Sequence, residues 1–349
     1  MMPSPRSVRA AASNLARKLA DGRLADLRPT PGEVIADGPG GAAVRRYRGP
    51  RGLIAAGPPV LFVPPPAVPV RCYDLRRGCS LAEHLVNAGR RSYLLEQGPG
   101  GAAGAALPEA IETVSRDAGG QPVQLVGWSL GGVRALLAAA EPAPPIASVA
   151  LVAAPADPAA VPVPVPGGAA SRLEETVAGT LFGGPAIPPS DPARGLLGVE
   201  KYLVRPYRIL THLDDAEFLA QAEALDHFAN AMMASSGRAS EGLRSALLRD
   251  TGEIEFEGRR IALDGVRVPV LAIAGRDDRL APASAVRPLT RLLPNAPEVR
   301  FEVAPGGHVG VLTGSAARAT TWAHLDRWLD EGIVRHGLRA PRRRRTAAI

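Results

Sequence analysis

The chain has 349 residues, 46% of them hydrophobic, which excludes wholesale disorder. Aromatic residues are only 4%, so the core must be built from Leu, Val, Ile and Ala, and the 38 glycines and 35 prolines recur without the period that a collagen-like chain requires. The formal net charge of +7 is concentrated after Val334, where Arg335, Arg339 and Arg342 to Arg345 meet no acid; the remaining body is close to neutral and offers no nucleic-acid groove.

The first 29 residues form the opening segment. Positions 7–27 carry Val8, Leu15, Leu19, Leu24 and Leu27 at helical spacing, which predicts an amphipathic helix that docks on the body through these side chains. From residue 30 short apolar runs alternate with helical stretches. Glu33–Ala36 and Ala43–Tyr47 read as an opening pair of strands, and Pro59–Val63 as a buried strand. Leu81–Ala88 reads as a helix, Ser92–Leu95 as a strand, and Pro108–Ala118 as a helix with proline in its first turn. Val123–Val126 and Ile146–Val152 are strands on either side of a helix, Leu130–Ala140, that Pro142 stops. This alternation predicts an α/β protein with a mostly parallel central sheet and helices on both faces.

The alternation breaks over residues 155–262. A Pro/Ala/Gly-rich stretch is followed by helical segments at Asp214–Ala231 and Gly242–Leu248, and no periodic strand is visible before Val270–Ala274. We read this block as a helical cap inserted between the two parts of the core, residues 30–154 and 263–334. It would sit over the C-terminal edge of the sheet, where open α/β folds bind ligands. Val299–Val303 is the last strand, and Ala317–Leu329 a closing helix with Trp322, Leu325 and Trp328 inward; residues 335–349 form a basic, solvated tail.

Three loops carry chemistry. Gly127-Trp128-Ser129-Leu130-Gly131 is a G-x-S-x-G pattern lying between a buried strand and a periodic helix, the strand–turn–helix of a nucleophile elbow. The glycines let neighbouring backbone approach a sharp turn, and the Leu130 N–H at the helix start can donate to an oxyanion. A serine needs a base and an orienting acid. Gly275-Arg276-Asp277-Asp278 follows the strand at Val270, and Gly306-Gly307-His308-Val309-Gly310 follows the strand at Val299, so acid and histidine come in the order that this elbow requires. A second oxyanion donor is expected from the loop after the third strand. Pro64, Pro65 and Pro66 have no N–H, which leaves Ala67 or Val68. Cys72 and Cys79 form neither a disulfide framework nor a zinc site, and Cys72 reads as a small buried hydrophobe.

With these residues in view, the chain resembles the poly(3-hydroxyalkanoate) synthase-like branch of the α/β-hydrolases from about Pro31 to Leu329, least so in the cap. The most specific segment is VLFVPPPAVPVRCYDLRRGCSLAEHLVNAG at residues 60–89, with the V-P-P loop, Asp74-Leu75 and Ser80-Leu81 at the family's spacing. The approach from Phe256-Glu257-Gly258 to Pro269 and the GHVG at residues 307–310 are similar as well. The resemblance implies the α/β-hydrolase fold, with Ser129 as nucleophile, Asp278 as acid and His308 as base. It favours Asp278 over Asp277 because Asp278 stands three residues after Gly275 and four before Pro282. The chain departs from the family at three places: synthases carry cysteine in the elbow, Val68 replaces an asparagine, and Glu96-Gln97 replaces an Asp-Trp pair.

The expectation is a cofactor-free and metal-free serine hydrolase of the cytoplasm that cleaves a small-molecule apolar acyl ester or thioester. Two free thiols, no apolar run near the ~18 residues of a membrane span and no secretory h-region support that location. A second reading is a synthase-like acyltransferase that uses hydroxyacyl-CoA. A third, of another class, is a non-catalytic module that contacts a membrane or lipid granule through the N-terminal helix and Arg342–Arg345.

Overall fold

A computed structural model of the chain describes residues 4–66, 68–96, 106–142, 144–156, 205–235, 253–256 and 259–335. Helix α1 (Pro5–Asp21) is capped by the Ser4 side chain and ends at Gly22, whose φ of 68° is the left-handed turn that glycine supplies. Strands β1 (Gly32–Asp37) and β2 (Ala43–Tyr47) follow, then β3 (Val60–Val63). A small antiparallel pair, β4 (Asp74–Arg76) and β5 (Cys79–Ser80), precedes α2 (Leu81–Asn87) and β6 (Ser92–Glu96). Then come α3 (Ala106–Asp117), β7 (Val123–Trp128), α4 (Leu130–Ala140) and β8 (Ile146–Val152).

In the inserted region the described elements are two helices, Arg205–Thr211 and Ala216–Ser235, and an antiparallel pair, β9 (Glu253–Phe256) and β10 (Arg259–Ala262). The chain rejoins the sheet through β11 (Val270–Gly275) and β12 (Val299–Ala304), and ends its described part with the helix Thr321–Arg335.

The main sheet has eight strands in the order β1-β2-β6-β3-β7-β8-β11-β12. β1, β2 and β6 pair antiparallel, and every pair from β6 to β12 is parallel. Central strands β3, β7 and β11 are buried along their whole length, because helices cover both faces; this is why they read as continuous apolar runs instead of alternating ones. The core is aliphatic, with a few large anchors such as Phe62, Trp128 and Trp328.

The α/β expectation is met strand by strand, with three differences. First, β4 and β5, and β9 and β10, stand where no strand was expected; β4 and β5 are too short to show a period, and Glu253-Ile254-Glu255-Phe256 does alternate, but four residues are too few to outweigh the helical segments around them. Second, the closing helix begins at Thr321, and Ala317–Ala319 is a separate turn of 3-10 helix. Third, α1 does not bury Val8, Leu15 and Leu19, which are all exposed. Its roll is set by polar contacts instead. Asn14 Nδ2 donates to Leu213 O at 2.9 Å, and Lys18 Nζ pairs with Glu223 Oε1 at 2.8 Å. Leu24 and Leu27, beyond the helix, pack against the core as expected. The helix expected at Asp214–Ala231 is found as Ala216–Ser235, whereas the one expected at Gly242–Leu248 lies outside the described residues.

Candidate active site

β7 delivers the elbow. Ser129 sits between β7 and α4 at φ 53°, ψ −127°, a region that costs a non-glycine residue about 1–3 kcal/mol and persists only when surroundings hold it. Ser129 N–H donates to Val152 O at 2.8 Å on the neighbouring strand. The flanking glycines are required by contact. A Cβ on Gly127 would lie 2.5 Å from Gly132 Cα, and one on Gly131 would lie 2.1 Å from Val63 O. The V-P-P loop after β3 therefore rests directly on the first turn of α4.

Asp278 and His308 arrive from the ends of β11 and β12, which are adjacent and parallel. Gly275, the last residue of β11, lets these two loops meet, since a Cβ there would lie 2.6 Å from Gly306 O. His308 is fixed from below by the Trp128 indole, whose Nε1–H donates to His308 O at 2.9 Å.

The three side chains lie in one hydrogen-bonded row. His308 Nε2 lies 2.9 Å from Ser129 Oγ, and His308 Nδ1 lies 2.8 Å from Asp278 Oδ2. Asp278 Oδ1 accepts the N–H groups of Leu280 and Ala281, both at 2.8 Å. These two donors hold the carboxylate so that Oδ2 faces the imidazole. An ionised carboxylate only accepts, so Nδ1 carries the proton and Nε2 presents its lone pair to the serine hydroxyl. Ser129 and His308 are 0% exposed, which places this row where hydrogen bonds are electrostatically strong. Asp277, by contrast, is exposed, and its N–H donates to Gly306 O.

The Leu130 N–H opens α4 and has no acceptor within the helix, so it is free to meet an anion beside Ser129. The loop candidates differ. Val68 N–H is turned onto Pro65 O at 3.3 Å, and Ala67 lies outside the described residues. Cys72 is buried, and burial pushes its thiol well above the ordinary range, as befits a packing residue. Glu96 is engaged with Arg45 Nε at 2.5 Å on β2, so this departure from the synthase pattern belongs to a sheet ion pair; Gln97 lies outside the described residues. Among the described residues, no group of three or more His, Cys, Asp or Glu is arranged to hold a metal ion.

One supporting residue escaped the sequence reading. The buried Tyr73 hydroxyl donates to Val63 O at 2.7 Å and accepts from Trp128 N–H at 2.8 Å, tying the V-P-P loop to the residue before Ser129. Nothing in its spacing marks it, because both partners become neighbours only when β3 and β7 pair. Tyr73→Phe is expected to lower the free energy of urea unfolding by about 1–3 kcal/mol with an unchanged slope, since it leaves two buried backbone groups unpaired.

No protein-family model matches the chain. Two curated relatives align with it: the poly(3-hydroxyalkanoate) polymerase subunit PhaC of Haloarcula marismortui, 23% identical over 137 residues, and that of Haloferax mediterranei, 20% identical over the same length. Each alignment covers 38% of this chain, and the chain spans only 29% and 28% of the two relatives. Among solved structures, an alpha/beta hydrolase fold protein from Nakamurella multipartita superimposes with a TM-score of 0.50 at 16% identity, over 86% of this chain and 100% of that one. A proline iminopeptidase from Mycobacterium smegmatis also gives 0.50, at 17% identity, over 88% and 100% of the two chains. At such identities the likeness concerns the fold. The eight-stranded sheet with its elbow after β7 is thus the α/β-hydrolase fold, and the chain carries distant homology to the polymerase subunit over part of its length.

Proposed function

We propose that this chain is a serine hydrolase that cleaves an apolar acyl ester or thioester through an acyl-enzyme on Ser129. The observation that carries the reading is the relay from Ser129 Oγ through His308 to Asp278 Oδ2, at 2.9 and 2.8 Å. Ser129 Oγ attacks the carbonyl carbon while His308 Nε2 takes its proton. Asp278 keeps the imidazole in the working tautomer and stabilises its cation. Leu130 N–H holds the oxyanion together with a second N–H from the V-P-P loop, for which Ala67 is the remaining candidate because Val68 N–H is spent on Pro65 O. Collapse of the adduct expels the alcohol or thiol, which leaves with the proton from His308. Water then repeats the cycle on the acyl-serine and releases the acid.

Trp128, Leu130, Leu280 and Val309, which flank the three side chains in sequence, are buried and apolar. This favours an acyl chain over a charged substrate. In this reading residues 30–154 and 263–334 are the catalytic body and residues 155–262 its cap. No helix among the described residues is long and apolar enough to cross a membrane.

The distant homology to polymerase subunits supports a second reading, acyl transfer from hydroxyacyl-CoA. A serine in the elbow argues for hydrolysis, because an oxygen ester is a poorer donor for repeated acyl exchange than a thioester. A panel of acyl esters and acyl-CoA thioesters of varied chain length, with product analysis, separates the two. The expected product is free acid, and Ser129→Cys is expected to lose ester hydrolysis without gaining polymer. Polymer formed from hydroxyacyl-CoA by the unmutated protein would move the chain to the acyltransferases.

A further inference from the structure

We infer that α1 is an interfacial helix that docks this protein on an anionic phospholipid surface. Nothing in the inference depends on the reaction at Ser129.

The first observation is the roll of the helix. Asn14 is its one buried residue, and Asn14 and Lys18 hold it to Leu213 and Glu223. Glu223 Oε2 also accepts the N–H of Leu24 at 2.7 Å, just beyond the helix. The protein-facing side is thus made of small and polar residues. Val8, Leu15 and Leu19, seven and four residues apart, share another side and are 53%, 58% and 78% exposed. A helix present only to close the fold would turn these side chains inward. Here specific hydrogen bonds fix the opposite arrangement.

The second observation is charge. Arg6, Arg9 and Arg17 on the helix and Arg23 just after it are exposed, and the one acid in the helix is Asp21. No acid stands in the first turn, where the helix dipole would favour one. Leucines on one side of a helix and arginines around the rest of its exposed surface are the composition of a helix that lies in a headgroup layer, its leucines among acyl chains and its cations reaching for lipid phosphates. The helix Arg205–Thr211, which ends two residues before the Leu213 that Asn14 contacts, also exposes Tyr207 and Leu210, 68% and 64%. A tyrosine with one apolar and one polar end suits the same boundary.

Charge also decides against a second copy of this chain. A symmetric contact through the leucines would add a second set of exposed arginines with no acid of the helix but Asp21 to meet them, whereas an anionic bilayer neutralises them.

The test is co-sedimentation of the full chain with vesicles, either phosphatidylcholine alone or phosphatidylcholine mixed with phosphatidylglycerol, at low and high salt. The expected result is binding to the anionic vesicles that weakens with salt, and little binding to phosphatidylcholine. Leu15→Gln/Leu19→Gln is expected to weaken binding by about tenfold or more, because two side chains lose their transfer into the acyl region. Arg9→Gln/Arg17→Gln is expected to weaken it by about fivefold per arginine and to flatten the salt dependence. All four side chains are exposed, so the thermal midpoint of both variants should match that of the unmutated protein. Failure of the unmutated protein to sediment would overturn the inference. So would unchanged binding of the leucine variant, which would assign the contact to another basic segment such as Arg342–Arg345. A leucine variant that changes a dimer into a monomer, with vesicles ignored throughout, would replace the lipid by a second copy.

Discussion

Ser129→Ala and His308→Ala are each expected to abolish nearly all acyl hydrolysis, by at least about 10³-fold in kcat, and the double variant to lose little more. The reason is geometric. Ser129 Oγ and His308 Nε2 share one hydrogen bond at 2.9 Å, so removing either atom ends proton transfer for both chemical steps. What remains is the background contributed by the oxyanion donors and by binding. The assay is single-turnover release of alcohol or thiol, with unfolding curves recorded beside it. Loss of the Ser129 hydroxyl should not cost much stability, because the strained backbone of the elbow is held by Ser129 N–H on Val152 O and by the glycine contacts, not by the side chain. Additive losses in the double variant would mean that the two residues do not act in one mechanism.

The second large effect separates neighbouring acids. Asp278→Asn is expected to lower kcat by about 10³–10⁴, while Asp277→Asn leaves it nearly unchanged. Asp278 accepts two backbone N–H groups through Oδ1 and the imidazole through Oδ2. An asparagine placed there keeps one acceptor oxygen and puts an NH2 group on the other position. If the oxygen stays on Leu280 and Ala281 N–H, the amide donates toward Nδ1 and the imidazole adopts the tautomer with its proton on Nε2. That proton then faces the serine hydroxyl that should be losing one. Asp277 is exposed and makes its contact through its backbone, so its side chain is dispensable. Steady-state kinetics of the two variants check the ranking, and the reverse order would shift the acid by one residue.

The parts of this molecule that were legible in the sequence are those whose cause is local. β3, β7 and β11 are buried on both faces and must be apolar throughout, so short unbroken runs reveal them. The elbow is legible because the steep turn needs glycine on both sides of Ser129. Asp278 and His308 are legible because each follows such a strand, and parallel pairing of β11 with β12 brings their loops together.

What was not legible depends on partners far along the chain. The roll of α1 is decided by Leu213 and Glu223, about 200 residues away, and they override the leucine periodicity of the helix itself. β4 and β5 are three and two residues long, too short to show a period. Tyr73 acquires its role only through Val63 and Trp128. Glu96 stands in the sequence only as a departure from the family's Asp-Trp pair, and its partner, Arg45, is revealed when β2 and β6 pair.

The central claim is that Ser129 is a nucleophile activated by His308. Treatment of the folded full chain with a fluorophosphonate, followed by peptide mapping, tests it most directly. The expected result is one label per chain on Ser129, slowed by orders of magnitude in His308→Ala although the serine is still present. Absence of label on Ser129 in the folded protein, or equal labelling with and without His308, would contradict it.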